Sequence, residues 1–225
     1  MLAVPSKRGA APVFTAPDRV EALIAQGVDT VFGVPGESYL SVLDGLHQHA
    51  DAIRFIACRQ EGGAAFMAEA QGKLTGRRGV CFVTRGPGAT NASIGVHTAF
   101  QDSTPMVLFI GQVASDQRDR EAFQELDYRQ MFGPGTLGLA KWVGEVHDAD
   151  RLPEYVARAF HTAMQGRPGP VVLVGNEIGL GVIPLGRGVR GFVDALGRLN
   201  QRVAASCARV TLMAAGLPLT LKDET

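Results

Sequence analysis

The chain has 225 residues, which is enough for one substantial domain with a buried core. Its hydrophobic content of 46% and charged content of 20% are ordinary for a globular protein. The 22 basic and 22 acidic side chains balance, which argues against nucleic acid or a membrane surface as a partner.

In chain order, the first segment is a stretch of scattered Ala and Pro over residues 1–17, with adjacent basic residues at Lys7 and Arg8. It lacks the apolar core of a signal peptide, and no later stretch approaches the roughly 20 apolar residues that span a bilayer. We therefore expect a loose N-terminal leader over 1–17, a cytoplasmic protein and no membrane partner.

Predicted helices and strands alternate from Asp18 onward. Asp18 is predicted to cap a helix that stops at Gly27. After this helix, the spacing of apolar residues alternates between that of strands and that of helices. The pattern predicts strands at 30–34, 53–58, 79–84, 105–110 and 170–174. It predicts further helices at 38–49, 61–74, from the turn at 85–88 to about 100, and at 152–164.

This alternation predicts an α/β fold. The strands read as continuous Val, Ile and Phe runs, which are typical of parallel strands covered on both sides. We expect a doubly wound, mostly parallel sheet with helices on both faces, followed by an irregular, divergent tail of uncertain structure at 175–225. Loops at the carboxyl ends of such strands build the ligand site, so we expect 33–37, 59–63 and 85–91 to lie side by side.

Glu61 is the most interesting single residue in these loops. It opens a helix whose first turn, Gly62-Gly63-Ala64-Ala65, is small enough for a ligand to approach the backbone. An acid in a first turn also complements the helix dipole, and position alone favours that simpler role for Glu61.

The loop from Gly86 to Asn91 partly resembles a dinucleotide-binding fingerprint, which would favour a nucleotide-binding oxidoreductase. Asn91 stands where the third glycine belongs, and the next strand ends at Ile110-Gly111-Gln112 without an acid for a ribose. These features disfavour nicotinamide binding. A tight turn capped by Thr84 or Asn91 is an alternative for the loop in isolation.

The residues that commonly bind metals show no suggestive spacing. The five histidines have no Cys or carboxylate partners at ligand distances along the chain, so we predict no metal site in this chain. The cysteines are odd in number and far apart, and we expect free thiols in a reducing compartment, with Cys58 and Cys81 buried.

Seven segments of the chain form a pattern when they are read together. In chain order they are Val-Phe-Gly-Val-Pro-Gly at 31–36, Arg-Gln-Glu-Gly-Gly-Ala-Ala-Phe-Met-Ala-Glu at 59–69, Val-Thr-Arg-Gly-Pro-Gly-Ala-Thr-Asn at 83–91, Asp-Ser-Thr-Pro-Met at 102–106, Ile-Gly-Gln-Val at 110–113, Ala-Phe-Gln-Glu at 122–125 and Gly-Arg-Pro-Gly-Pro-Val at 166–171. This series resembles the thiamine-diphosphate-dependent enzymes related to acetolactate synthase. It covers about 18–174, which is identified by this resemblance as a pyrimidine-binding domain.

The resemblance implies a role for each matching residue. Glu61 matches the glutamate that hydrogen-bonds N1′ of the cofactor's aminopyrimidine and so helps to remove the C2 proton of the thiazolium. Phe123 and Gln124 match a pair on the substrate side, and Lys141 matches a lysine near the active-site entrance, where some relatives bind FAD. The remaining pocket positions are Pro35, Gly36, Thr84, Pro87 and Asn91. The implied reaction is decarboxylation of a 2-oxo acid with carboligation, as in branched-chain amino acid biosynthesis.

The departures from the family pattern concern what completes the site. Family members bind magnesium and the diphosphate through a Gly-Asp-Gly motif in another domain, often of a second subunit, and this sequence contains no such motif. We therefore expect a homodimer or a separate chain with the diphosphate-binding domain. The alternative is a catalytically inactive fragment that acts only as a folding or dimer-interface module. Locally, Gln71 replaces a usual aromatic residue, 133–138 looks like an insertion, and similarity stops after Val174.

Overall fold

The computed structural model describes residues 16–135, 138–176, 209–214 and 217–223. The chain divides into two compact units, Met1–Ile178 and Gly179–Thr225. The predicted leader up to residue 15, most of the predicted tail and Cys207 lie outside the described residues.

Strands and helices alternate through the first unit. The strands are β1 Thr30–Gly33, β2 Arg54–Ala57, β3 Gly79–Val83, β4 Met106–Gln112, β5 Trp142–Val146 and β6 Pro170–Asn176. The α-helices are α1 Ala16–Ala25, α2 Leu40–Gln48, α3 Glu61–Thr75, α4 Gly86–Gln101, α5 Tyr128–Phe132 and α6 Leu152–Met164.

All six strands are parallel and form one sheet in the order β2-β1-β3-β4-β6-β5. The predicted α/β fold with a doubly wound sheet is confirmed. Because the chain moves from β1 outward to β2 and then crosses back to β3, the strand order reverses between β1 and β3. Open parallel sheets bind ligands at such a switch point, outside the carboxyl ends of the strands. We call this side of the sheet the carboxyl edge and the opposite side the amino edge.

Helices cover both faces of the sheet, as the continuous apolar strands predicted. All five residues of β3 are buried. Val80 and Phe82 pack in a hydrophobic cluster with residues of α1, α2 and α6, whereas Cys81 and Val83 pack in a second cluster with α3, α4 and α5. Successive side chains of a strand point to opposite faces, so a strand between two cores needs apolar residues throughout.

Two elements of the first unit, α5 and β5, were not predicted from the sequence. Helix α5 has five residues, too few for a periodic apolar pattern, and it begins after Asp127, whose side chain accepts hydrogen bonds from the backbone of Arg129 and Gln130. Strand β5 contains Gly144 and Glu145, which interrupt its apolar run. The other predicted elements are confirmed, with ends that differ by a few residues, but α1 begins at Ala16, so Asp18 lies within the helix and does not cap it.

The described part of the second unit is a two-stranded hairpin within the predicted tail. Strands β7, Arg209–Ala214, and β8, Leu217–Asp223, are antiparallel, with a register shift between Val210 and Thr211. These residues have regular structure, although the periodicity of this part of the sequence is too weak to predict strands. Among the residues described, no helix is both long enough and apolar enough to cross a membrane.

Candidate functional site

The loops after β1 and β3 touch at the switch point on the carboxyl edge. The Ser38 and Thr84 hydroxyl oxygens are 2.9 Å apart and share a hydrogen bond. A Cβ added to Gly36 would lie only 2.7 Å from Thr84 Cβ, so glycine permits this close approach. The structure therefore brings Gly36 together with Thr84, and the loop after β1 lies beside the loop after β3.

Glu61 lies at the start of α3, and its carboxylate has a defined partner on α4. Asn91 Nδ2 donates to Glu61 Oε2 over 2.9 Å. The helix is capped by Gln60, whose side chain accepts from the Gly63 amide over 2.9 Å. Capping by Gln60 leaves the Glu61 carboxylate available for other contacts, and Glu61 itself is only half-buried.

The second oxygen of Glu61 faces the first turn of α4. A Cβ added to Gly88 would lie 3.6 Å from Glu61 Oε1 and 3.1 Å from Thr84 Cγ2. Glycine at this position therefore keeps a space open between Glu61 and Thr84. Among the described residues, Oε1 accepts no hydrogen bond, so this oxygen can serve a ligand in that space.

Small residues explain why Glu61 and Asn91 meet. A Cβ added to Gly95 would lie 2.5 Å from Ala65 Cβ, and one added to Gly62 would lie 3.2 Å from the Asn91 carbonyl oxygen. Helices α3 and α4 therefore pack with their backbones close together. This approach places the first turn of α3 against the second turn of α4.

The Gly86-Pro87-Gly88 segment is helical rather than a loop. Helix α4 begins at Gly86, and the Gly86 amide donates to the Gln124 carbonyl over 3.0 Å. Pro87 has no amide hydrogen. Two of the first amides of α4 are thus unavailable to a phosphate, which argues against the dinucleotide-binding alternative.

Phe123 and Gln124 lie on an anchored loop beside the start of α4. The Phe123 side chain is 72% exposed, and Gln124 has a positive φ of 63°. Glu125 accepts hydrogen bonds from the backbone amides of Asp119 and Ala122, over 2.8 and 3.1 Å. The loop therefore presents a large aromatic ring to solvent from a fixed backbone.

An ion-pair network ties this loop to β5. Arg118 Nε lies 3.3 Å from Glu125 Oε1, and the Arg118 guanidinium also contacts the buried carboxylate of Glu145 on β5. Arg129 Nε lies 3.6 Å from the same carboxylate. The sequence did not single out any of these charged residues.

The loop should loosen in acid because of Glu125. Burial raises the pKa of Glu125, but hydrogen bonds from the backbone amides of Asp119, Ala122 and Arg120, with the charge of Arg118, bring it below the ordinary value. A lowered pKa stabilises the folded loop above the unfolded value of 4.5, and this contribution is lost as the pH falls through the folded pKa. We expect amide exchange at Ala122 to accelerate, after correction for intrinsic rates, between about pH 6 and about pH 3.

The matched variant for this titration is Glu125→Gln, which keeps the shape of the side chain but cannot ionise. We expect its Ala122 amide to exchange quickly at every pH. A protection factor for Ala122 that is the same in both proteins and constant with pH would contradict the anchoring role of Glu125.

Lys141 does not lie with the other predicted site residues. It immediately precedes β5, so it is at the amino edge, and its ammonium donates to the carbonyl oxygens of Thr162 and Gln165 over 2.6 and 2.7 Å. These carbonyls belong to the C-terminal end of α6, where a cation is favourable. Burial lowers the pKa of Lys141. Within this chain Lys141 therefore caps a helix, and its place near the active-site entrance stays a prediction.

The described cysteines are free thiols, as expected. Cys81 is buried, whereas Cys58 is only half-buried, which corrects the expectation that both are buried. Burial raises the pKa of Cys81, so its thiol is uncharged at neutral pH and unsuited to nucleophilic chemistry. Within the described ranges, no group of three or more His, Cys, Asp or Glu side chains could hold a metal ion.

Sequence reasoning missed one charged contact at the pocket itself. Arg85 Nη1 lies 2.9 Å from Glu37 Oε1, which links the loop after β3 to the loop after β1. The sequence does show opposite charges at Arg85 and Glu37, which follow β3 and β1. Such a pair indicates a contact only once these two strands are known to be neighbours.

Comparison with known proteins assigns the family. The family model of the thiamine pyrophosphate (TPP) enzyme N-terminal TPP binding domain matches residues 18–131, just over half of the chain. The chain belongs to this family. The matched region of the TPP domain contains every predicted site residue except Lys141.

The similar proteins include several acetolactate synthases. The chain is 41% identical over 156 residues to the acetolactate synthase of Arthrospira platensis, covering 68% of this chain and 26% of that protein. It is 42% identical over 154 residues to the isozyme 2 large subunit of Escherichia coli, covering 68% and 27%. The mitochondrial catalytic subunit of Saccharomyces cerevisiae is 40% identical over 153 residues, covering 68% and 22%. The chain thus spans about a quarter of the length of these relatives.

A second family model matches the C-terminal part of the chain. It is described as cobinamide kinase / cobinamide phosphate guanyltransferase and covers residues 136–221, less than half of the chain. Its range begins inside the first unit, where β6 pairs with β4 of the TPP domain sheet and β5 pairs with β6. The structure therefore assigns residues 142–176 of this range to the TPP domain sheet.

Proposed function

We propose that the pocket on the carboxyl edge binds the aminopyrimidine half of thiamine diphosphate, with Glu61 as the catalytic acid. The observation that carries the proposal is the Asn91–Glu61 hydrogen bond, which orients one carboxylate oxygen and leaves the other facing the space beside Gly88. The proposed lining is Pro35, Gly36, Glu61, Thr84, Pro87 and Asn91.

The residues present fit this half of the cofactor. An aminopyrimidine is a flat heterocycle that needs a carboxyl group at a ring nitrogen and little side-chain bulk around it. Gly88 supplies the space and Glu61 supplies the carboxyl group within it. In this proposal Asn91 fixes the rotamer of Glu61, and Glu61 exchanges a proton at its Oε1 atom.

When bound, the cofactor supplies an electron sink for decarboxylation of a 2-oxo acid. We propose that the parent activity is this decarboxylation followed by carboligation, as the name acetolactate synthase says of the relatives. Phe123 and Gln124 are proposed to face the substrate, because their anchored loop adjoins the first turn of α4. The Gly86 amide donates to the Gln124 carbonyl, and a Cβ added to Gly86 would lie 2.9 Å from that oxygen. The position of Gln124 is therefore coupled to the start of α4, which lines the proposed pocket.

We further propose that the diphosphate and magnesium are bound by another domain, in a dimer or a heteromeric complex. The outer surfaces of α3 and α4 offer an apolar area for such a partner, at Phe66, Met67, Leu74 and Ile94, which are 39%, 43%, 86% and 55% exposed. Exposed apolar groups of this kind commonly mark protein contacts. The free thiols of Cys58 and Cys81 support a reducing, cytoplasmic location.

A second candidate, favoured by the exposed apolar residues of α3 and α4, is an inactive folding or dimer-interface module. Such a module would keep the fold and the apolar helix surfaces but would not bind the cofactor's ring.

Calorimetric titration of the purified chain with thiamine diphosphate and magnesium separates the two candidates. Saturable binding that is lost in Glu61→Ala would support the proposed pocket. Binding that persists in Glu61→Ala would contradict the role of Glu61. If only a mixture with a diphosphate-domain chain binds, the cofactor site lies between domains, as proposed.

We expect Asn91→Ala to weaken cofactor affinity roughly tenfold, because it removes a hydrogen bond to a charged carboxylate. Because the Asn91 side chain is exposed, we expect the variant to fold normally, which thermal unfolding checks. Ser93→Ala, two residues further along the same helix, is the control. Unchanged affinity in Asn91→Ala would contradict its role in orienting Glu61.

A further inference from the structure

Two Arg–carboxylate pairs bracket the same two neighbouring strands, β1 and β3. At the carboxyl edge, Arg85 follows β3 and its Nη1 lies 2.9 Å from Glu37 Oε1. At the amino edge, Arg77 precedes β3 and its Nη1 lies 2.9 Å from Asp29 Oδ2, just before β1. In each pair the residues are 48 positions apart.

The two pairs differ in what surrounds them. The Arg85 side chain is 12% exposed, whereas that of Arg77 is 55% exposed. Directly beside the first pair, the Ser38 and Thr84 hydroxyls form a second link between the same two loops. Two adjacent links restrict both the separation and the relative rotation of the loops.

We propose that Arg85 and Glu37 are positioning residues that fix the loop after β1 relative to the loop after β3, and so fix the shape of the pyrimidine pocket between them. This inference rests on the proposed function. Gly36, which precedes Glu37, and Thr84, which precedes Arg85, both line the proposed pocket, and a Cβ added to Gly36 would lie only 2.7 Å from the Thr84 side chain. Fixing walls before a ligand arrives reduces the ordering cost of binding.

The Arg85 side chain makes no ion pair other than the one with Glu37 among the described residues. As N-cap residue of α4 it makes no side-chain capping hydrogen bond, and its buried Nε has no hydrogen-bond partner among the described residues. Ion pairs with one exposed partner add little to global stability, and Glu37 is 60% exposed. The pair therefore contributes more to loop geometry than to folding.

The test is an NMR titration of the full chain with thiamine, which carries the aminopyrimidine without the diphosphate. We expect Arg85→Met, which keeps the apolar stem, to weaken thiamine affinity roughly fivefold, and Arg85→Lys to recover most of the loss. Glu37→Gln should weaken it similarly, and the double variant Glu37→Gln/Arg85→Met should be no weaker than Arg85→Met alone.

Arg77→Met is the matched control, because it breaks the equivalent pair between the same strands at the other edge. We expect it to leave thiamine affinity within about twofold of the original chain. Equal weakening by Arg77→Met and Arg85→Met would indicate general loosening of β1 and β3 and overturn the proposal. Original affinity in Arg85→Met would overturn it as well.

Glu61→Ala separates failure of this inference from failure of the proposed function. If thiamine saturates the original chain and Glu61→Ala abolishes binding, the pocket is established whatever Arg85→Met does. If Glu61→Ala binds thiamine as well as the original chain does, the proposed pocket and the positioning role both fail. If the original chain alone shows no saturation, the same variants are titrated in the mixture with a diphosphate-domain chain, where original affinity in Arg85→Met overturns the positioning role and equal binding by Glu61→Ala overturns the pocket.

Discussion

Replacing Glu61 by Gln is expected to lower turnover of a 2-oxo acid by roughly 10²–10⁴-fold in an assembly that completes the site, while the fold stays intact. Gln is nearly isosteric with Glu and can still accept from Asn91 through its amide oxygen. It cannot exchange a carboxyl proton with a ring nitrogen, however. The measurement is steady-state decarboxylation, with circular dichroism and thermal unfolding as checks of the fold.

The simpler explanation of Glu61, a first-turn acid that complements the helix dipole, makes a different prediction. Glu154 lies in the first turn of α6 and is 59% exposed, so Glu154→Gln is a matched control for the dipole effect. Either substitution should lower the free energy of unfolding by no more than about 1 kcal/mol. If Glu61→Gln retained turnover and behaved like Glu154→Gln, the catalytic role of Glu61 would be wrong.

The sequence predicted the sheet well because its signals are local. A parallel strand between two cores reads as a continuous apolar run, and glycines mark turns, as at Gly27 with φ of 76°. Strand β5 gave no such run because of Gly144 and Glu145. Without β5, the position of Lys141 before a strand, and thus at the amino edge, was not readable.

The sequence predicts candidate site residues but not their contacts. Glu61 and Asn91 are both candidates, yet their hydrogen bond depends on the close approach of α3 and α4, which periodicity does not indicate. The same holds for Arg85 and Glu37, which are 48 residues apart and meet only because β1 and β3 are neighbours. Strand order is a property of the whole chain, and neither charge indicates its partner by itself.

The approach of α3 and α4 gives the second large expected effect. Gly95→Ala would place a Cβ 2.5 Å from Ala65 Cβ and 2.8 Å from the Ala65 carbonyl carbon, which is backbone and cannot rotate away. We expect the helices to separate, with a loss of about 1–3 kcal/mol in the free energy of unfolding. Separation also lengthens the Asn91–Glu61 hydrogen bond, so cofactor affinity should fall in the same variant.

Gly63→Ala distinguishes this packing effect from the general effect of alanine in a helix. Gly63 lies in α3, and a Cβ added there would have nothing within 4 Å. Alanine is favoured over glycine in a helix, so Gly63→Ala should raise the free energy of unfolding by about 0.5–1 kcal/mol. Urea unfolding should therefore show a lower free energy of unfolding for Gly95→Ala and a higher one for Gly63→Ala, although both variants replace glycine by alanine. If Gly95→Ala were as stable as Gly63→Ala and bound the cofactor normally, close packing of α3 and α4 would not be what holds Asn91 against Glu61.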